Sequence, residues 1–296
     1  MRKITPFLWF KDNAQEAIDF YVSIFSKAES KKSTHYTEES AEASGQPEGT
    51  IMTSEFQLEG QDFVALNGGP IFKFTPAISF FVSCQEPDEI EKLWERLSHG
   101  GKVLMELDKY PFSERYGWLE DKFGVSWQLN FADAEQKIKP ALMFTGDQFG
   151  KVEEAMKFYT ALFEGSGIDK IERYTAGEND KEGAIKYAEF TLSGKNFVAM
   201  ESSMEHAFTF TPAISFVVDC QAQEDVDKFW EKLSEGGEKG QCGWLEDKFG
   251  ISWQIVPAAL GEMMSDPDKE KSRRVMKAML EMTKLDIEKL KQAYEE

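Results

Sequence analysis

Two stretches of this chain are written twice. Residues 74–84 read FTPAISFFVSC and residues 210–220 read FTPAISFVVDC; residues 117–129 read GWLEDKFGVSWQL and residues 243–255 read GWLEDKFGISWQI. Fainter pairs fill the spaces between. KITPFLWF (3–10) matches KIKPALMF (137–144), EAIDFYVSIF (16–25) matches EAMKFYTALF (154–163), and residues 48–66 match 182–200. All these blocks keep one order, so the chain is a tandem duplication, the feature to establish before any local reading. The expected divisions are a first domain at 1–132, a second at 137–260 and a helical tail at 261–296, with a short polar join at DAEQK. The copies differ in one place. Where the first has GKVLMELDKYPFSERY, the second has only GEKGQC, so a strand and loop are expected to be cut away there.

Each half predicts strand, helix and three strands, twice over. Residues 4–10 form an apolar strand, and Asp12 and Asn13 are cap candidates for a helix with Ala17, Ile18, Tyr21 and Ile24 at helical spacing. A short strand is expected at 31–37, a loop at 40–49, and a hairpin of strands 50–58 and 62–67 around Glu59–Gly60. The pattern then restarts: strand 76–83, helix 87–98 ended by Gly100–Gly101, and strands near 102–107, 116–120 and 125–130. In the tail, Ser265 and Asp286 are candidate caps for two helices, the first bearing a Val275, Met276, Met279, Leu280 stripe. Such a stripe packs on its own domain or on a second copy, which makes a homodimer one candidate assembly and an internal pseudo-dimer of the two halves another.

Bulk properties exclude several classes. A net charge of −19 disfavours nucleic acid and anionic membrane surfaces as partners. No apolar run approaches the roughly 20 residues of a membrane helix, and the start lacks the apolar region of a signal peptide, so a cytoplasmic location is expected. The three cysteines, Cys84, Cys220 and Cys242, form no CxxC pair and suit a reducing compartment. Cys84 and Cys220 share a repeat position, which points to packing. His35, His99 and His206 do not repeat between halves and read as solvated.

The doubled βαβββ order resembles the vicinal oxygen chelate superfamily, which holds glyoxalase I, extradiol dioxygenases and fosfomycin and bleomycin resistance proteins. The phrases ITPFLWF–DNAQEAIDFYVSIF, YPFSERYGWLEDKFGVSWQL and SDPDKEKSRRVMKAML resemble its PhnB-like group, whose domain is labelled 3-demethylubiquinone-9 3-methyltransferase-like. The resemblance implies an α+β fold in which paired βαβββ units curl a mixed sheet around a cup, here in tandem copies with a helical tail. It also implies where a metal would be held in relatives that have one: at or next to Pro6, near Ala77 and at Gln128, and in the second half at Pro140, Ala213 and Gln254. None of these is a strong ligand, so no metal or other cofactor is expected.

Alternation along strands then assigns faces. If Pro6, Ala77 and Gln128 face the cup, so do Leu8, Phe10, Ser79, Phe81, Ser126 and Asn130, leaving Phe7, Trp9, Ile78, Phe80, Trp127 and Leu129 for the core. The matching set in the second half is Leu142, Phe144, Ser215, Val217, Ser252 and Gln254. Arg115, Tyr116 and Trp118 precede the DKFG turn and are candidates to clamp an anionic or aromatic ligand. The expected ligand-binding set is therefore Leu8, Phe10, Ser79, Phe81, Arg115, Tyr116, Trp118, Gln128, Asn130 and Gln254, with the small-molecule ligand unidentified.

Three functions compete. A metal-free small-molecule binder fits the vacated ligand positions. A metal-dependent lyase or dioxygenase needs ligands from elsewhere, such as Glu55, Glu189 or Glu106. A methyltransferase needs a glycine-rich turn between a strand and a helix, whereas Glu164-Gly165-Ser166-Gly167 follows a helix and precedes a strand.

Overall fold

The computed structural model describes residues 3–296. The first unit is β1 (Ile4–Phe10), α1 (Ala14–Ile24), β2 (Ala28–His35), α2 (Glu38–Ser44), β3 (Ile51–Leu58) and β4 (Gln61–Asn67). The second is β5 (Ile78–Cys84), α3 (Pro87–Ser98), β6 (Lys102–Tyr110), β7 (Ser113–Glu120) and β8 (Ser126–Phe131). The third is β9 (Ile138–Phe144), α4 (Val152–Leu162), β10 (Gly167–Arg173), β11 (Ile185–Leu192) and β12 (Lys195–Glu201). The fourth is β13 (Ile214–Cys220), α5 (Gln223–Leu233), β14 (Glu238–Lys239), β15 (Trp244–Glu246) and β16 (Ser252–Pro257). The tail holds α6 (Ala258–Met264), α7 (Lys269–Leu280) and α8 (Ile287–Glu295).

The units pair across the halves, not within them. One sheet runs β14-β15-β16-β13-β1-β4-β3-β2 and joins the fourth unit to the first; the other runs β10-β11-β12-β9-β5-β8-β7-β6 and joins the third to the second. The seams are antiparallel, β1 on β13 and β5 on β9. We call the helix-free faces of these sheets cup A and cup B. Within a half, the units meet back to back. Tyr21 of α1 lies 5.3 Å from the Trp127 ring, and Phe63 lies 5.0 Å edge-on to Phe80. The two sheets thus share one apolar core that includes residues of α1, α3, α4 and α5 and of both halves.

The most strongly repeated block is explained by one buried carboxylate. Asp121 Oδ2 accepts from the Tyr21 hydroxyl (2.6 Å) and the Trp127 indole (2.9 Å), while Oδ1 accepts from the amides of Phe123 and Val125. Asp247 repeats every bond, with Tyr159, Trp253, Phe249 and Ile251. LEDKFGxSWQ therefore ties a helix, a turn and a strand together, satisfying an acceptor that would be costly to bury alone. Burial raises both carboxyls, Asp247 to about 6, against the pull of these same donors.

Several local expectations need correction. Residues expected as loop at 40–49 begin with α2, which Thr37 caps by accepting from the Ser40 amide. That helix is short and polar, with only Ser40 buried, so it has no apolar stripe to betray it. Asp268, not Ser265, caps α7; Ser265 closes α6, a helix the sequence did not suggest. The strand thought lost from the fourth unit survives as the two residues of β14. Asp286 does cap α8, accepting from the amides of Glu288 and Lys289.

Candidate functional site

Cup B is built from one row of side chains crossing the sheet. The register pairs Met105 with Trp118, Trp118 with Gln128, Gln128 with Phe81 and Phe81 with Lys139. Directly paired residues point to the same face, so all five look into the cup. The neighbouring row carries Ser126, Ser79, Ala141, Val198 and Glu189. Phe81, Tyr116, Ala141 and Val198 are buried there, with half-buried Met105, Tyr110, Trp118, Tyr187 and Met200 packed round them. This cluster is separate from the main core.

Polar groups are threaded through that apolar lining. The Tyr116 hydroxyl donates to Gln128 Oε1 (2.6 Å), and Gln128 Nε2 donates to Ser79 Oγ (2.7 Å). This uses one of the two amide hydrogens of Gln128. The Trp118 indole donates to Ser126 Oγ at 2.8 Å. On the opposite wall Lys139 Nζ donates to Glu189 Oε1 at 3.3 Å, and the Tyr187 hydroxyl donates to the same oxygen. Above the cup, the β6–β7 hairpin tip stacks Tyr110 on Phe112 at 5.6 Å, and the Phe112 side chain is 56% exposed. In the second half that hairpin is cut down to β14 and β15.

Cup A has the same plan with a different aromatic lining. Phe7 and Trp9 pack edge-on against Trp244 at 5.7 and 5.9 Å, and Trp9 meets Phe72 at 4.9 Å. The Trp9 indole is tied to the Gly69 carbonyl (3.0 Å). Gln254 donates to Ser215 at 3.0 Å, as Gln128 does to Ser79. No tyrosine stands where Tyr116 stands in cup B; Cys242–Gly243 occupy that stretch and bond to the tail at Met282 and Thr283.

The structure thus brings together Ser79, Phe81, Tyr116, Trp118, Gln128 and Asn130 on one face. It does not bring Leu8 and Phe10 there. Both are 1% exposed in the main core, where Leu142 and Phe144 are also buried, while Phe7 and Trp9 face cup A. Residues 4–10 are apolar on both faces, so alternation alone cannot choose between them. The pairing of Thr5 with Val217 and Phe7 with Ser215 decides it. Gln254 faces cup A, not cup B. Arg115 lies on the helix side, paired with Glu91 of α3. It could not have shared a face with both neighbours, because Tyr116 and Trp118 take the cup. Lys139 and Tyr187 were missed, and Glu189 was considered only as a metal ligand. The signal was present: KIKPALMF sets a lysine where KITPFLWF has Thr5, a lone charge inside an apolar strand.

The donor set does not fit a divalent metal. Gln128 Oε1 is engaged by Tyr116, Ala77 offers no donor, and the Lys139 ammonium stands two strands from Gln128 in the same row. Glu55 is exposed and Glu189 is paired with Lys139. Among the described residues no group of three or more His, Cys, Asp or Glu side chains is placed to hold an ion. His35 and His99 are exposed; His206 is half-buried with its ring 4.9 Å from Phe208, a departure from the solvated reading. Burial pushes the Cys84 thiol up to about 12, as a packing residue requires. Among the described residues no helix is long and apolar enough to cross a membrane.

The family described as 3-demethylubiquinone-9 3-methyltransferase matches residues 2–130 and again 136–256. The chain belongs to this family, in two tandem copies. Protein YjdN of Escherichia coli (strain K12) is 24% identical over 137 residues, covering 43% of this chain and 93% of that protein. A putative 3-demethylubiquinone-9 3-methyltransferase, PhnB protein, from Bacillus cereus is 42% identical, covering 44% of this chain and 99% of its own, with a TM-score of 0.40. Glyoxalase I from Zea mays covers 90% of this chain and 98% of its own at 13% identity, with a TM-score of 0.55. The PhnB-like chain thus has the vicinal oxygen chelate fold across both halves.

Proposed function

We propose that this protein binds a small, flat molecule in cup B without a metal in the family's ligand positions. The observation that carries the reading is the row Trp118–Gln128–Phe81–Lys139, which sets polar groups at intervals into an aromatic and methionine lining. Such a mixture of apolar walls with few convergent polar groups is how ligand pockets are made. Cup A, lined by Phe7, Trp9 and Trp244 and without a counterpart of Tyr116, serves as scaffold.

The methyltransferase activity in the family's description finds no support in the backbone. Gly165 follows α4 and Gly167 opens β10, so the glycines end a helix and do not start one. The test is a thermal-shift screen of aromatic molecules and S-adenosylmethionine, with and without EDTA, because a ligand of the folded state raises Tm by mass action. An aromatic molecule that shifts wild type, ignores EDTA and loses its shift in Trp118→Ala supports the reading. A shift that requires a divalent metal, or that survives Trp118→Ala unchanged, overturns it.

A further inference from the structure

Among the differences between cup B and cup A is one buried charge. Lys139 stands where the first half has Thr5, and its side chain is only 8% exposed. A buried ammonium has three hydrogens to satisfy. Lys139 spends one on Glu189 at 3.3 Å, and Glu189 shares that oxygen with the Tyr187 hydroxyl. Facing Lys139 across Phe81, Gln128 has its acceptor taken by Tyr116 and holds an amide hydrogen in reserve. The spare capacity of this row is therefore for donating. Its two donors flank an aromatic ring, and their strands lie about 10 Å apart, two strand spacings.

We propose that the ligand of cup B is an aromatic anion, its ring against Phe81 and Trp118 and its carboxylate or phenolate oxygen on Lys139. This deepens the binding function proposed above and rests on it. Lys139 anchors the charge, and Glu189 holds the ammonium in place until the ligand's oxygen joins it. A charge-assisted hydrogen bond of this kind is strong and geometrically selective.

The test uses three probes of one shape: 2-naphthoate, 2-naphthamide and 2-naphthylmethylamine, titrated into the full chain and read by tryptophan fluorescence. Wild type should prefer the carboxylate over the amide by about tenfold, the range of a bond to a charged group. Lys139→Met should abolish that preference, naphthoate binding falling to the level of the amide. Glu189→Gln frees the ammonium and should tighten naphthoate binding, which keeps the test decisive if the lysine variant fails to fold. A preference for the amine, or an unchanged carboxylate preference in Lys139→Met, overturns the anionic ligand while leaving the cup standing. Weaker naphthoate binding in Glu189→Gln also overturns it. Failure of all three probes to bind removes the cup reading and this proposal together.

Discussion

The Tyr21 hydroxyl lies 2.6 Å from a carboxylate oxygen of Asp121, one hundred positions away in the chain. The bond crosses between the first two units, and Tyr159 with Asp247 repeats it between the last two. Each tyrosine is fully buried, so its hydroxyl has no water to fall back on. Tyr21→Phe should destabilise the chain by about 1.5–3 kcal/mol, the usual range for a hydrogen bond to a charged group. Tyr159→Phe should cost a similar amount. Urea denaturation of both variants checks this, and a loss below about 0.5 kcal/mol would show that the carboxylate is satisfied without the tyrosine.

Asp247 gives the stability a pH dependence whose sign can be worked out. Its carboxyl sits near 3.8 when free and is pushed up to about 6 by burial in the fold. Folding therefore takes up a proton between those values. Its favourable contribution is complete below about 4 and is lost as pH rises through about 6. The unfolding free energy of wild type should fall over that window relative to Asp247→Asn, whose side chain does not titrate. Parallel urea titrations at pH 4, 5, 6 and 7 measure the difference, and parallel slopes would refute the shift.

How much of this was legible depended on whether a residue's partner was local. The α3 helix, with Ile90, Leu93 and Leu97 on one face, falls where its spacing puts it. β5 and β8 also showed their cup faces, because Ser79 and Gln128 break an otherwise apolar pattern. β1 did not, because both of its faces are covered and read alike, and on β9 Lys139 alone marks the cup face. Their orientation is set by β13 and β5, strands more than fifty residues away. The exchange of partners between halves was invisible for the same reason. Blocks this similar can pair within a half or across the halves, and only the observed seams distinguish the two. The LEDKFG block was legible as a repeat but not as a hub, since Tyr21 belongs to a different unit.

Gly117 should tolerate no side chain. A β-carbon there would stand 2.4 Å from the Trp94 ring, which α3 lays across β7. The ring belongs to a helix packed on the sheet and cannot swing aside like a surface chain. Gly117→Ala should destabilise the second unit by about 1–3 kcal/mol through overpacking. Pairing it with Trp94→Leu makes room for the methyl. A double variant no more stable than the additive sum would contradict the contact.

The tail is the last element to test, because it bonds to the stretch where the second half is shortened. Val275, Leu285 and Leu290 are fully buried in a cluster with Leu260 and Met263 that also takes in Val256 at the end of β16. α7 continues to α2 of the first unit, where Arg273 pairs with Glu38 and Glu39. If packing holds the tail, Leu290→Ala should cost about 2–4 kcal/mol, the range for emptying a buried leucine site. Arg273→Ala should cost less than about 1 kcal/mol, because that arginine is half exposed and its ion pairs are screened. The reverse order, with Arg273→Ala the more damaging, would mean that the bridge to α2 and not the apolar cluster fixes the tail in place. Hydrogen exchange at the Cys242 and Gly243 amides, which bond to the Met282 and Thr283 carbonyls, reads the same question locally. Leu290→Ala should speed exchange at both amides, and Arg273→Ala should leave them protected.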